Sequence, residues 1–294
     1  MKNFLLLLIT LPYMSISCNG AKSDSDKIAL NSVDSLFKSI YPETEPGAAV
    51  LILKGDSIIF DKGYGLSDIE SGSKIDGNTF FNLASVSKQF SAVGIMMLAE
   101  EGKLSLDDNL KKWFPDFKAS FFERIRLRHI LSHSSGIPDS RDRNDRHFVL
   151  TATDTLSYSY IANLDSLNFD PGTSYEYMNP TFQLMYTIIE KASGENFDAS
   201  MKSKIYDPSG MLETTYFEAD KFIPRMSHGY IPDSSAKSFR EYDYGEETFF
   251  ATKADGGIYT STHEFVNWEK ALRKNLLISE KSKMEAHSPK TIID

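Results

Sequence analysis

Phe81-Asn82-Leu83-Ala84-Ser85-Val86-Ser87-Lys88 is the stretch on which the reading of this chain turns. It places a serine and a lysine three residues apart at the head of the strongest helical pattern in the sequence, Leu83 to Gly102. Val86, Phe90, Val93, Ile95, Met96, Met97 and Leu98 supply the apolar face, and Gly102 ends it. Residues i and i+3 share a helix face, so Lys88 can reach the Ser85 hydroxyl. The positive helix end favours an alkoxide or an oxyanion at Ser85. Burial against apolar neighbours favours a neutral amine, which is a base. Spacing alone does not single this pair out, because Ser35…Lys38, Ser71…Lys74 and Ser234…Lys237 repeat it. Those pairs fall on an ordinary amphipathic helix or in polar loops. The competing reading of Ser85 and Lys88 is a capping serine beside a solvated lysine.

The flanking sequence reads as strands first and helices later. Lys27–Ile40 has helical spacing and ends before Pro42. Ala48–Lys54 and Ser57–Lys62 are β-rich runs joined at Gly55-Asp56, a hairpin, and Gly63–Thr79 reads as loop. Further helical patterns cover Asp107–Phe117, Arg126–Leu131, Pro180–Ala192 and Asn196–Tyr206, and one runs to Leu272 with Thr262 as its cap. This order predicts an α+β fold with a mainly helical lobe rather than βαβ winding. The 294 residues carry 32 Lys+Arg against 41 Asp+Glu, a net charge of −9, with no basic block. Nucleic acid is therefore not an expected partner. A second chemical element is Tyr177-Met178-Asn179, the only Tyr-x-Asn in the chain, after Pro171-Gly172 and before a helix. A tyrosine beside an ammonium can act as general base or acid, and an asparagine amide both donates to and accepts from a substrate amide. Read alone, they are better taken as a turn tyrosine and a helix-start asparagine.

Taken together, these elements resemble the serine β-lactamase and penicillin-binding-protein superfamily in its class C-like branch. Pro46-Gly47-Ala48-Ala49-Val50, Gly63-Tyr64-Gly65, the Phe81–Lys88 stretch, Arg128–Ile137, Pro171–Asn179, Asp207–Met211 and Ala254-Asp255-Gly256-Gly257-Ile258 follow the family's order from about residue 30 to 275. The resemblance implies a β-lactamase/transpeptidase-like α+β fold, an antiparallel sheet flanked by helices plus a helical lobe. It makes Ser85 the acylated nucleophile, Lys88 its activating base, Tyr177 the proton shuttle and Asn179 the holder of the substrate amide. The Ser85 N–H would be one oxyanion donor, and no cofactor is implied. Met178 stands where the family often has serine. The family's third motif, Lys/His-x-Gly, is not found: Lys253-Ala254-Asp255-Gly256 has other spacing and Lys290-Thr291-Ile292 lacks the glycine. With the chain stopping at Asp294, the sequence reads as truncated, without the family's closing strands and C-terminal helix.

The N-terminus reads as a secretory leader over residues 1–17: Lys2, then an apolar run from Phe4 to Met14. At about 1.5 Å per residue that run is shorter than a ~30 Å hydrocarbon core. Cys18, the only cysteine, follows Ser15-Ile16-Ser17, resembling a bacterial lipoprotein signal with Cys18 as the lipidated residue. Residues 18–27 read as a tether and 28–294 as the domain. The expected location is the bacterial cell envelope through a lipid anchor, the alternative being a periplasmic or secreted protein. His129 and His133 lie four apart, but no third metal ligand accompanies them, so no metal site is expected. Three readings stay open: an exported serine hydrolase of β-lactams, D-amino-acid peptides or small esters; a non-catalytic cell-wall ligand-binding module; and an inactive truncated fragment.

Overall fold

The structure, a computed structural model, describes residues 24–139, 153–218, 221–236, 238–241 and 252–289. The stretch read as a leader, residues 1–17, and Cys18 lie outside the described residues.

Helix α1 (Asp24–Ile40) begins three residues before the expected start and takes in part of the stretch read as tether. Its apolar face, Leu30, Val33 and Phe37, packs on the hairpin of β1 (Ala48–Lys54) and β2 (Ser57–Tyr64). Phe37 stacks on Tyr64 with ring centroids 5.5 Å apart. Gly47 is obligatory at the mouth of β1, because a Cβ there would lie 1.7 Å from the Tyr64 carbonyl oxygen. The segment read as loop contains a second small hairpin, β3 (Leu66–Asp68) with β4 (Ser73–Lys74).

The short strand β5 (Phe81–Asn82) leads into the central helix α2 (Lys88–Glu100). Burying Phe90, Ile95 and Leu98 contributes about 1.5–3 kcal/mol each, which fixes α2 in the molecule. Around it lie α3 (Leu110–Trp113), α4 (Leu127–Leu131), α5 (Asp154–Ala162), α6 (Asn179–Ser193) and α7 (Phe197–Met201). Gly94 of α2 faces Ile189 of α6 and Met201 of α7. A π-helical turn, Lys202–Tyr206, follows α7.

The strands β6 (Thr215–Tyr216), β7 (Tyr230–Asp233), β8 (Ser238–Glu241) and β9 (Ile258–Thr260) complete the β structure. Among the described residues the named strands pair antiparallel in four small sheets, β1-β2, β3-β4, β5-β9-β6 and β7-β8. Helices α8 (Thr262–Arg273) and α9 (Glu280–His287) follow. Ser261, not Thr262, caps α8: its side chain accepts the Glu264 N–H, while Thr262 is already helical. Trp268 of α8 stacks on Phe90 at 4.0 Å, joining α8 to the helical core. No helix among the described residues is long and apolar enough to cross a membrane.

Candidate active site

Ser85 does not sit in the first turn of α2, as its pattern implied. It lies in a separate 3-10 turn, Ala84–Ser87, and Lys88 is the first residue of the α-helix. The turn is forced by its neighbours. Leu83 donates its N–H to the Ile258 carbonyl at 2.8 Å, so strand pairing runs up to the turn. Ala84 is then held at φ 43° by the Asn82 side chain, which accepts its N–H at 2.8 Å. A left-handed alanine costs about 1–2 kcal/mol. The bend leaves Ser85 exposed while Ser87 and Lys88 are buried.

The Lys88 Nζ donates to Ser85 Oγ at 3.1 Å and to the main-chain carbonyl of Asp255 at 3.0 Å. The Asp255 carboxylate lies 3.9 Å from the same nitrogen. The ammonium also faces the rings of Tyr177 and Phe182, with centroids at 5.2 and 5.8 Å. The expected apolar surround is thus only half of the environment: a carbonyl and a carboxylate form the other half.

Tyr177 stands at the mouth of the site, its ring 4.4 Å from that of His133. His133 Nδ1 accepts the N–H of Met178 at 3.1 Å, which places the proton of the neutral ring on Nε2. Burial, and secondarily the Lys88 charge, push the His133 pKa down to about 4. Gly136 shapes the same loop: at φ 74° it passes Phe169 so closely that a Cβ would lie 2.0 Å from the Phe169 carbonyl oxygen. Asn179 opens α6, and its Oδ1 is buried without a hydrogen-bond partner, an acceptor left uncommitted. His129 accepts the Arg126 N–H at 3.2 Å, a role within its own helix start. Among the described residues no group of three or more His, Cys, Asp or Glu is arranged to hold a metal ion.

The residues the sequence did not assign come from far along the chain. His133, Phe182 and Asp255 all face Lys88; the landmarks Arg128–Ile137 and Ala254–Ile258 contain two of them without giving either a role. Leu83 and Val86 border an apolar groove of about 820 Å³. It is shared with β1 through Ala49, Leu51 and Leu53, and with α8 through Phe265 and Val266.

Comparisons with known proteins identify the fold and the family. Penicillin-binding protein 4* of Bacillus subtilis (strain 168) is 29% identical over 269 residues, covering 87% of this chain and 59% of that protein. The chain therefore spans under two thirds of that relative's length. Among solved structures, the octameric penicillin-binding protein homologue from Pyrococcus abyssi superposes with TM-score 0.75 at 24% identity. That superposition covers 91% of this chain and 61% of the homologue. The D-amino acid amidase from Ochrobactrum anthropi SV3 gives TM-score 0.64 at 24% identity, over 80% of this chain and 66% of the amidase. These likenesses show a β-lactamase/transpeptidase-like α+β fold. The family profile described as Beta-lactamase matches residues 38–291. The chain is a member of the Beta-lactamase family, within the superfamily of serine β-lactamases and penicillin-binding proteins.

Proposed function

We propose that this chain is a serine hydrolase of the class C-related type that works through an acyl-enzyme on Ser85. The carrying observation is the 3.1 Å contact between Lys88 Nζ and an exposed Ser85 Oγ on a strained turn. In the proposed cycle the unprotonated amine of Lys88 takes the Oγ proton as Oγ bonds to the acyl carbon. The leaving group departs with a proton delivered through Tyr177, and a water activated along the same path releases the acid and restores Ser85. The Ser85 N–H is the proposed oxyanion donor and the Asn179 amide the proposed anchor for a substrate amide.

The proposed substrates are small acyl compounds: β-lactams, D-amino-acid peptides or esters. The structural likeness to a D-amino acid amidase supports the fold shared with such activity and leaves the choice to experiment. The test combines intact-mass detection of a Ser85 adduct with turnover of a chromogenic ester and a chromogenic cephalosporin. Adduct formation and multiple turnover, both lost in Ser85→Ala, are expected. A lasting adduct without turnover would replace the hydrolase by the ligand-binding module, and no adduct with any acylating reagent would end both readings.

Export and lipidation at Cys18 are part of the same proposal, supported by the sequence pattern alone. Metabolic labelling with a fatty acid, abolished by Cys18→Ser, is the expected result. Unlabelled protein would leave a soluble exported form.

A further inference from the structure

Beneath the Ser85–Lys88 pair lies a buried polar cluster that the proposed chemistry does not use. The segment Lys253-Ala254-Asp255 runs under α2 and is pinned at each residue. The carboxylate of Asp154, on α5, accepts the N–H of Lys253 at 2.7 Å and the N–H of Ala254 at 3.0 Å. Ser91 of α2 donates to the Ala254 carbonyl at 2.7 Å. Gln183 of α6 donates from Nε2 to Asp255 Oδ2 at 3.1 Å, and Ser157 of α5 donates to the Gln183 amide oxygen. All five side chains are buried, with relative exposures of 5% for Asp154 and Asp255, 2% for Gln183, 1% for Ser157 and 0% for Ser91.

Two carboxyl groups, Asp154 and Asp255, are buried together beneath the Lys88 amine. The Asp255 carboxylate, 3.9 Å from Nζ, is the one that faces Lys88. Asp154 meets only backbone N–H groups in these contacts. Burial, and secondarily the Asp255 charge, raise Asp154 well above the ordinary carboxylate range. Burial therefore works against charge on Asp154, while Asp255 is the carboxylate that faces the Lys88 amine.

We propose that Asp255 is the positioning residue of the site: its carbonyl and carboxylate seat the Lys88 amine against Ser85, and Asp154 fixes the backbone that carries them. The proposal rests on Ser85 and Lys88 being the reactive pair. The other titratable groups facing the pair are Tyr177, from the loop before α6, and His133, from the loop after α4; both are retained in every variant.

Asp255→Asn removes the charge while leaving the main-chain carbonyl and an oxygen for Gln183. Asp154→Asn instead turns an amide donor toward a backbone N–H and releases the segment while leaving the Asp255 carboxylate in place. The probe is an alkyl fluorophosphonate, whose second-order rate of adduct formation at Ser85 is followed across pH. In Asp255→Asn the plateau rate is expected to fall about tenfold, and the rising limb of the profile to move about one pH unit or more toward acid, since the counter-charge is gone. In Asp154→Asn a similar fall is expected with the limb in place. A limb that does not move in Asp255→Asn overturns the proposal, because a merely structural role changes only the plateau.

A second measurement does not depend on reactivity. Urea unfolding of Lys88→Met, Asp255→Asn and the double variant is expected to show coupling of about tenfold or more in the unfolding equilibrium. Additive effects overturn the proposal. Coupling in a protein whose Ser85 no probe acylates would leave the pair standing and sink the hydrolase reading instead.

Discussion

His133 holds Tyr177 from two directions: its ring packs on the tyrosine ring at 4.4 Å, and its Nδ1 accepts the N–H of the next residue, Met178, at 3.1 Å. The hydrogen bond needs a neutral imidazole, since a protonated Nδ1 cannot accept. In the folded protein the ring gains a proton only near pH 4, whereas in the unfolded chain it does so near its ordinary value of 6.5. Between these values the unfolded state binds more protons, so stability falls as pH drops from about 6.5 to about 4. Urea midpoints across this window are expected to decline more steeply for the wild type than for His133→Gln. Taking the difference between the two cancels Asp154, whose raised carboxyl acts with the opposite sign. Parallel curves would show that His133 titrates alike in both states.

Lys88 has two duties that substitution separates. Lys88→Arg keeps a positive charge beside Asp255, but a guanidinium stays protonated and cannot take the Ser85 proton. Its acylation rate is expected to fall ~10²–10⁴-fold with a melting temperature near the wild type. Lys88→Met leaves the buried Asp255 carboxylate without its counter-ion and should lose about 3–5 kcal/mol as well. Equal melting temperatures for the two variants would contradict the ion pair.

Ala84 stores strain next to the nucleophile. At φ 43°, glycine removes the side-chain penalty, and a β-branched residue enlarges it. Ala84→Gly is expected to raise the melting temperature slightly, and Ala84→Val to lower stability by about 1–2 kcal/mol more than alanine. The glycine variant should also acylate more slowly, because the turn presenting Ser85 gains freedom. Thermal melts paired with labelling rates check both signs.

The hydroxyls of Tyr206 and Tyr216 meet at 2.6 Å, and both side chains are buried. Tyr216→Phe strands the Tyr206 hydroxyl and should cost about 1–3 kcal/mol. Adding Tyr206→Phe removes the stranded donor, so the double variant is expected to be more stable than Tyr216→Phe alone. A chemical-denaturation cycle measures this, and additivity would refute the pairing.

The local parts of this fold were legible because local rules decide them. Gly55-Asp56 marks a hairpin turn, and the run after Pro180 carries its helical face unbroken to Ser193. The serine and lysine were legible because three residues on one helical path bring side chains together whatever surrounds them. The 3-10 turn was not, since it exists only because Ile258 captures the Leu83 N–H across the sheet. The Ser261 cap was displaced by one residue from Thr262, an ambiguity inherent in adjacent hydroxyls. The company of Lys88 was invisible for a deeper reason. Asp255 and His133 reach it from other elements, and nothing in the spacing of Ser85 and Lys88 specifies what lies beneath them.

The ties that seat the site join distant parts of the chain. Lys88 meets Asp255 across 167 positions, Ser91 meets Ala254 across 163, and Asn82 meets Gly256 across 174. Closing loops of this length is slow compared with the ~microsecond formation of a single helix. During refolding, helical signal should therefore recover well before Ser85 becomes reactive. An acylating reagent that stains only the assembled pair is then a clock for the final, global step of folding.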